Sequence, residues 1–260
     1  MPELPDVETL RRYLDSTSLH RRIQSADARD ARVVKGVSLK RLESTLRGRE
    51  FESTHRHGKF LFVTLDRGPL LVLHFGMTGE LAYFKHDQGE PAHTRLRIRF
   101  ANGYRLAYVN RRRLGRVSLA ENIEEFIRDE GLGPDALSVE RDAFEDMLKG
   151  GRGKIKSALM NQNGVAGIGN VYADEILFQA SVRPGKRLEK LTGKARRELF
   201  RAMRRVLKVA IRHRGHREEF PKTYLSDHRE AGAECPKCGG RIRKGTINGR
   251  STYYCPQCQT

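Results

Sequence analysis

The residues that specify a chemistry most narrowly are two pairs of cysteines, Cys235-Pro-Lys-Cys238 and Cys255-Pro-Gln-Cys258, with sixteen residues between them. Two CxxC knuckles at this spacing match a tetrahedral zinc site, and four thiolates leave no open position for substrate or water, so the ion is structural. Two disulfides or a redox CxxC are the competing readings; the presence of both knuckles favours one zinc. The span between them, GGRIRKGTINGRSTYY, reads as a β-hairpin turning at Asn248-Gly249, too small to bury a core of its own. Arg250 stands just past the tip, where a guanidinium can grip a phosphate. Other residues are less specific alone. GIGN at 167–170 puts glycines and an N-cap residue, Asn170, at a helix start, which is either an anion site or a plain turn and cap. Pro2 reads as a first-turn helix proline, with Glu3 and Asp6 as dipole partners. Lys59 reads as a solvated strand lysine, Met77 as core filler and Arg111 to Arg113 as a basic turn.

These residues need elements to place them. Leu4, Val7, Leu10 and Leu14 recur at helical spacing, which predicts a helix from Pro2 to about Ser16. From Phe51 to about Ala120, short runs such as KFLFVTL, LLVLHF, TRLRIRF and YRLAYV alternate with turn signals and predict an antiparallel β domain. In TRLRIRF the alternation puts Leu96, Ile98 and Phe100 on one face and Arg95, Arg97 and Arg99 on the other, which predicts a basic sheet face. Beyond a boundary near Gly131 to Pro134, helices are expected near 138–149, 154–162, 170–180 and 192–213, the last with Leu199, Met203, Val206 and Ala210 on one stripe and arginines on the other side. The stretch from Arg212 to Ala233 is polar and irregular. The fold class is α+β: an N-terminal helix with a β-sandwich domain (1–130), a helical domain (131–225) and a C4 zinc finger (226–260).

Fifty Lys and Arg against thirty-two Asp and Glu leave a net charge of +18, which calls for a polyanionic partner, most simply nucleic acid. No apolar run approaches the roughly 20 residues of a membrane span, and the acidic, Pro-punctuated start is no signal peptide. Confinement of all four cysteines to the last 26 residues points to a reducing intracellular compartment.

MPELPDVETLRR, HGKF at 57–60, HFGMTG at 74–79, NRRRLG at 110–115, GIGNVYADEILF at 167–178 and the C4 finger together resemble, in order and over the whole chain, the formamidopyrimidine-DNA glycosylase and endonuclease VIII family. The resemblance implies a bifunctional base excision repair enzyme, a DNA glycosylase and AP lyase whose initiator Met is removed so that the Pro2 amine becomes the nucleophile. An α-amine has an ordinary pKa of about 7.7 to 8.0 and is partly uncharged near neutrality. Attack of this secondary amine on sugar C1′ gives a cationic iminium, from which the C–O bonds to phosphate are readily eliminated. Glu3 is implied as proton donor to the ring oxygen. Lys59, Asn170 and Arg250 are implied as phosphate clamps, with Lys59 and Arg250 counted among the catalytic set, and His74 and Lys156 as further DNA contacts. Met77, Arg112 and Leu114 are implied to fill the gap left by the flipped base. The partner is then damaged double-stranded DNA, met by a monomer in a bacterial-type cytoplasm at the nucleoid. The competing classes are a catalytically silent DNA-binding protein and a general zinc-ribbon module that binds RNA.

The chain departs from the family pattern in three places, the first of which bears on the hydrogen-bonding role of residue 6 and the others on the lesion. Asp6 replaces the family's usual Glu, Leu114 and Arg111 stand where Phe and Pro are usual, and KTYLSDHREAGAECPKC is shorter than the family's stretch over flipped 8-oxoguanine. The shortened loop leans towards formamidopyrimidines, oxidised pyrimidines or further-oxidised guanines such as hydantoins. The leucine wedge, which stacks less well than an aromatic, bears on lesion search and on the preferred opposite base. The ELPDVET opening and HFGM lean back to the formamidopyrimidine branch.

Overall fold

The structure is a computed structural model that describes residues 2–85 and 88–260. Met1, whose removal the N-terminal chemistry requires, lies outside the described residues. The chain divides into two compact units: one holds Pro2 and Asp6–Glu130, the other Glu3–Pro5 and Gly131–Thr260. The elements are α1 (Leu4–Ser18), β1 (Ile23–Ala28), α2 (Leu39–Leu46), β2 (Phe51–His57), β3 (Phe60–Leu65), β4 (Leu70–His74), β5 (Gly79–Lys85), β6 (Thr94–Phe100), β7 (Tyr104–Asn110), β8 (Arg116–Ala120), α3 (Ile123–Asp129), α4 (Arg141–Gly150), α5 (Ile155–Met160), α6 (Asn170–Gln179), α7 (Gly193–Arg212), β9 (Arg243–Ile247) and β10 (Arg250–Tyr254).

The first unit is built on two antiparallel sheets, ordered β1-β6-β7-β5 and β2-β3-β4-β8. Phe51, Leu61, Val63, Phe75, Leu96, Ile98, Phe100 and Leu106 fill its core together with Val7 and Leu14 of α1. β6 alternates in burial as its sequence predicts. The basic sheet face is neutralised in part, at Arg95 and Arg97, whereas Arg99 Nε is buried without a hydrogen-bond partner among the described residues. Arg97 pairs with Asp27 at 2.8 Å and Glu90 at 2.9 Å. Arg95 donates to the Asn110 carbonyl at 3.1 Å and lies 3.5 Å from Asp30. Asp27 comes from β1, a strand missed in the sequence because IQSADA offers only Ile and two alanines to its buried side.

α1 is tied down by Glu8, which is buried and receives Arg11 Nε and Nη2 at 3.0 and 2.9 Å and Arg12 Nε at 2.9 Å, with Arg56 Nε 3.4 Å away. Burial pushes this carboxyl up, but hydrogen bonds from Arg11 and Arg12 and the charges of Arg11 and Arg56 outweigh it and hold the group at about 2 instead of 4.5. A carboxylate depressed in the folded state contributes stability that is complete above its unfolded pKa and is lost as pH falls through the folded one. Here that is worth up to about 3 kcal/mol. Urea midpoints of wild type and Glu8→Gln are therefore expected to differ most above about pH 4.5 and to converge as the pH falls towards 2. A gap that ignores pH would exclude the charge as its cause.

In the second unit α4, α5, α6 and α7 pack around Phe144, Leu148, Ile155, Leu159, Tyr172, Ile176, Leu199, Met203 and Val206. β9 and β10 form the hairpin of the finger, turning at Asn248 and Gly249 with φ of 46° and 71°, the left-handed pair that a two-residue Asn-Gly turn requires. Leu225 and Phe178 complete its small core with Cys235, Ile242 and Cys255.

Candidate functional site

Glu3 belongs to the second unit, where its buried carboxylate caps α6. Oε2 accepts from Gly169 N at 2.8 Å and Tyr172 N at 3.2 Å, and Oε1 from Val171 N at 2.9 Å. An α-helix begins with N–H groups that have no partner in the helix, and an anion at that end also meets the positive pole of the helix dipole. Three of these donors are satisfied by a residue more than 160 positions away. Glycines make the approach possible: a Cβ on Gly169 would sit 2.4 Å from Glu3 Cδ, and one on Gly167, itself at φ +113°, would sit 2.5 Å from Leu4 Cδ1. Leu4 N also donates to Gly167 O at 3.0 Å. Pro2 is thus bonded to a residue fixed in position through both carboxylate oxygens and its neighbour's backbone.

Asn170 is the first residue of α6 rather than its N-cap, which is Gly169. The capping expected of Asn170 falls to Glu3, and the Asn170 side-chain oxygen is buried without a hydrogen-bond partner among the described residues. Arg250 is exposed at the start of β10. Lys156, expected at the DNA surface, is instead fully buried. Its ammonium is satisfied internally: it pairs with the Asp174 carboxylate, 2.7 Å from Oδ1, and donates to Ser251 O at 2.9 Å and Thr252 Oγ1 at 2.8 Å. Burial pushes Lys156 down and Asp174 pulls it back. Asp174 Oδ2 also receives Arg229 at 2.7 Å and Tyr253 N at 3.1 Å. The lysine therefore fastens β10, and Arg250 with it, to α5 and α6.

The remaining predicted residues lie in the first unit. Lys59 sits in the turn joining β2 and β3 and is 9% exposed, so it is not the solvated strand lysine its sequence suggests. His74 ends β4 opposite Phe60. Burial, reinforced by the charges of Lys59 and Arg116 and opposed by Glu130, holds His74 down at about 4. The ring is neutral at pH 7, and because Nδ1 faces Gly76 N at 3.3 Å the proton resides on Nε2. Met77 and Leu114 are the large apolar residues that stand exposed among the described residues, at 38% and 52%. Their two loops are pressed together, since a Cβ on Gly76, at φ +59°, would lie 2.4 Å from the Leu114 carbonyl. A buried network locks them. Asn110 Nδ2 donates to Phe75 O at 3.1 Å, Asn110 Oδ1 accepts from Leu114 N at 3.2 Å, and Tyr108 OH donates to His74 O at 2.9 Å. Arg112 N reaches Thr78 Oγ1 at 3.2 Å, and the Arg112 side chain is exposed.

The four cysteine Sγ atoms lie within 4.8 Å of one another. Cys235 and Cys258 are 3.6 Å apart and Cys238 and Cys255 3.7 Å. Tetrahedral zinc with bonds of about 2.3 Å places its sulfurs about 3.8 Å apart, whereas a disulfide requires about 2.05 Å. The donor set fits one structural zinc ion.

Comparison with known proteins decides the family. The family model of the formamidopyrimidine-DNA glycosylase N-terminal domain matches residues 1–117, that of the H2TH domain 132–220, and that of the zinc finger found in FPG and IleRS 232–260. The chain belongs to the formamidopyrimidine-DNA glycosylase family. Curated formamidopyrimidine-DNA glycosylases of Desulfitobacterium hafniense and Pelotomaculum thermopropionicum are 34% and 32% identical, each over 100% of this chain and 100% and 99% of their own length. Among solved structures, the Lactococcus lactis formamidopyrimidine-DNA glycosylase bound to FAPY-dG containing DNA superposes with a TM-score of 0.91 at 28% identity, covering 99% of this chain and 100% of the other. The same enzyme with abasic-site DNA gives 0.90, covering 99% of each chain. The sequence resemblance and the α+β architecture both stand.

Asp174, Arg229, Tyr108 and Asn110 are supporting residues of this family member that the sequence reading missed. One signal was available for Asp174: it lies in VYADEILF, a helix apolar nearly all round, and a buried acid demands a partner.

Proposed function

We propose that this chain is a bifunctional DNA glycosylase and AP lyase that excises ring-opened and oxidised purines from double-stranded DNA. The Pro2 nitrogen attacks C1′ of the flipped nucleotide, and the base leaves with the glycosidic electron pair and takes a proton from water. The Glu3 carboxylate takes the proton released by the Pro2 nitrogen and passes it to the ring oxygen as the ring opens. The resulting iminium loses a C2′ proton with expulsion of the 3′ phosphate, and the 5′ phosphate follows by δ-elimination. The observation that carries this reading is the capture of Glu3 by the α6 N-terminus: the residue bonded to the nucleophile is fixed at both carboxylate oxygens and through the backbone of its neighbour Leu4, as catalysis by positioning requires. Membership of a family whose members are solved with FAPY-dG and abasic DNA supports the substrate class.

Lys59, Asn170 and Arg250 hold phosphates, His74 adds a neutral Nε2–H donor, and Met77, Arg112 and Leu114 occupy the vacated base position. Lys156 acts from within by holding β10. The enzyme works as a monomer in the bacterial cytoplasm at the nucleoid. The short chain between α7 and Cys235 favours a second lesion class, oxidised pyrimidines and hydantoins, beside formamidopyrimidines. A gel assay over 8-oxoguanine, formamidopyrimidine, thymine glycol, dihydrouracil, hydantoin and abasic duplexes tests the reading; strand nicking is expected with formamidopyrimidine and abasic sites, and no nicking on any lesion contradicts it.

Arg250→Ala is expected to weaken duplex binding about tenfold and to reduce the slope of log affinity against log salt by about 0.9, with zinc content unchanged. Anisotropy titrations at several salt concentrations measure this.

A further inference from the structure

α7 carries a second cationic surface, apart from the residues assigned to lesion processing. Lys194, Arg197, Arg201, Arg205, Lys208 and Arg212 recur at steps of three and four residues and are all exposed, while Leu199, Ala202, Met203, Val206, Leu207 and Ala210 are buried on the opposite face. From Lys194 to Arg212 the stripe runs about 27 Å at 1.5 Å per residue.

Charge is treated differently on two other elements, α1 and β6. On α1, Arg11 and Arg12 are matched by Glu8 and Asp15; on β6, Arg95 and Arg97 are matched by Asp27, Asp30 and Glu90. Among the described residues the α7 stripe has one acidic partner within 4 Å, Glu198, which meets Arg201 at 3.4 Å while Arg201 stays 70% exposed. Like charges three and four residues apart repel and weaken a helix, so the stripe opposes the helix that bears it and gains nothing from its own fold. A solvated helix face carries mixed signs at these spacings. An unbroken row of guanidinium and ammonium groups instead complements a row of phosphates: B-DNA presents one per about 3.4 Å of axis on each strand, so the stripe spans about eight.

We infer that the α7 stripe is a second DNA-binding surface, one that holds undamaged duplex through its phosphates independently of the lesion site. The inference does not rest on the Pro2 chemistry, because undamaged duplex offers no abasic sugar to trap.

The test uses the full-length, zinc-loaded protein and a lesion-free 30-base-pair duplex, with anisotropy titrations over a range of salt. R197Q/R201Q and R205Q/K208Q are each expected to reduce the slope of log affinity against log salt by about 2, at about 0.9 per phosphate contact, and to weaken binding at least tenfold. K40Q/R41Q, which removes the same charge from α2, controls for the general field of a basic protein, and R197K/R201K keeps the charge and is expected to keep the slope. Circular dichroism and zinc content verify folding, and borohydride trapping on a short lesion duplex, expected unchanged, reports the catalytic site separately. α7 slopes shifted no more than the α2 control overturn the inference, as does a loss that R197K/R201K shares.

Discussion

Cys255→Ser, like removal of the metal by a chelator, is expected to abolish tight DNA binding, with affinity for a lesion duplex falling at least a hundredfold. The finger has almost no core: the buried residues packed there are Phe178, Leu225, Cys235, Ile242 and Cys255, two of them metal ligands. Structural zinc contributes on the order of 10 kcal/mol to comparable small modules, far more than five side chains can replace. Without the ion β9 and β10 lose their clamp. The contacts from Lys156 to Ser251 and Thr252, and from Gln259 Nε2 to the Val182 carbonyl at 2.8 Å, tether the ribbon but cannot fold it. Arg250 then has no fixed position. The larger core around α4 to α7 is independent of the metal, so helicity by circular dichroism should persist while binding is lost. Metal analysis with anisotropy measures both. Retention of full affinity by a zinc-free protein would show that the finger does not present Arg250 to DNA.

An N-terminal extension that keeps Pro2 inside the chain is expected to reduce turnover at least a thousandfold, about 4 kcal/mol of transition-state stabilisation. Acylation makes the Pro2 nitrogen part of a tertiary amide, whose lone pair is delocalised into the carbonyl and cannot attack C1′. Proteolytic removal of the extension is expected to restore activity, which separates a blocked nucleophile from a misfolded protein. Single-turnover cleavage of an abasic duplex before and after removal reads the effect. Equal rates in the two states would place the nucleophile elsewhere.

Legibility of the fold followed the strength of local patterning. The core face of β6, the apolar stripe of α7 and the Asn-Gly hairpin were readable because period and turn chemistry are local. β1 was not, since IQSADA offers few apolar residues and its burial depends on distant partners, whereas α2 does carry a local signal, Leu39, Leu42 and Leu46 at helical spacing behind the N-cap Ser38. The same divide runs through the site. Four cysteines at zinc spacing announce themselves, whereas Met77 stands exposed and is not the core filling that methionine alone suggests. The cap on α6 could not be read locally, because Glu3 reaches it from the other end of the sequence while GIGN displays a plausible cap of its own. Lys156 misled for a related reason. A lysine in a basic chain reads as a surface charge, and only the three-dimensional placement of Asp174 and the β10 backbone turns it inward.

Pro2 reads by itself as a helix-start residue; its place beside a clamped Glu3, in a member of the formamidopyrimidine-DNA glycosylase family, makes it the nucleophile of the proposed mechanism. The most direct measurement is to trap the intermediate with borohydride on an abasic duplex, digest the adduct with nuclease and protease, and locate the sugar by tandem mass spectrometry. The account predicts a reduced deoxyribose remnant on the nitrogen of Pro2, in a peptide that lacks Met1. A remnant on a lysine side chain, or the absence of any adduct, would contradict it.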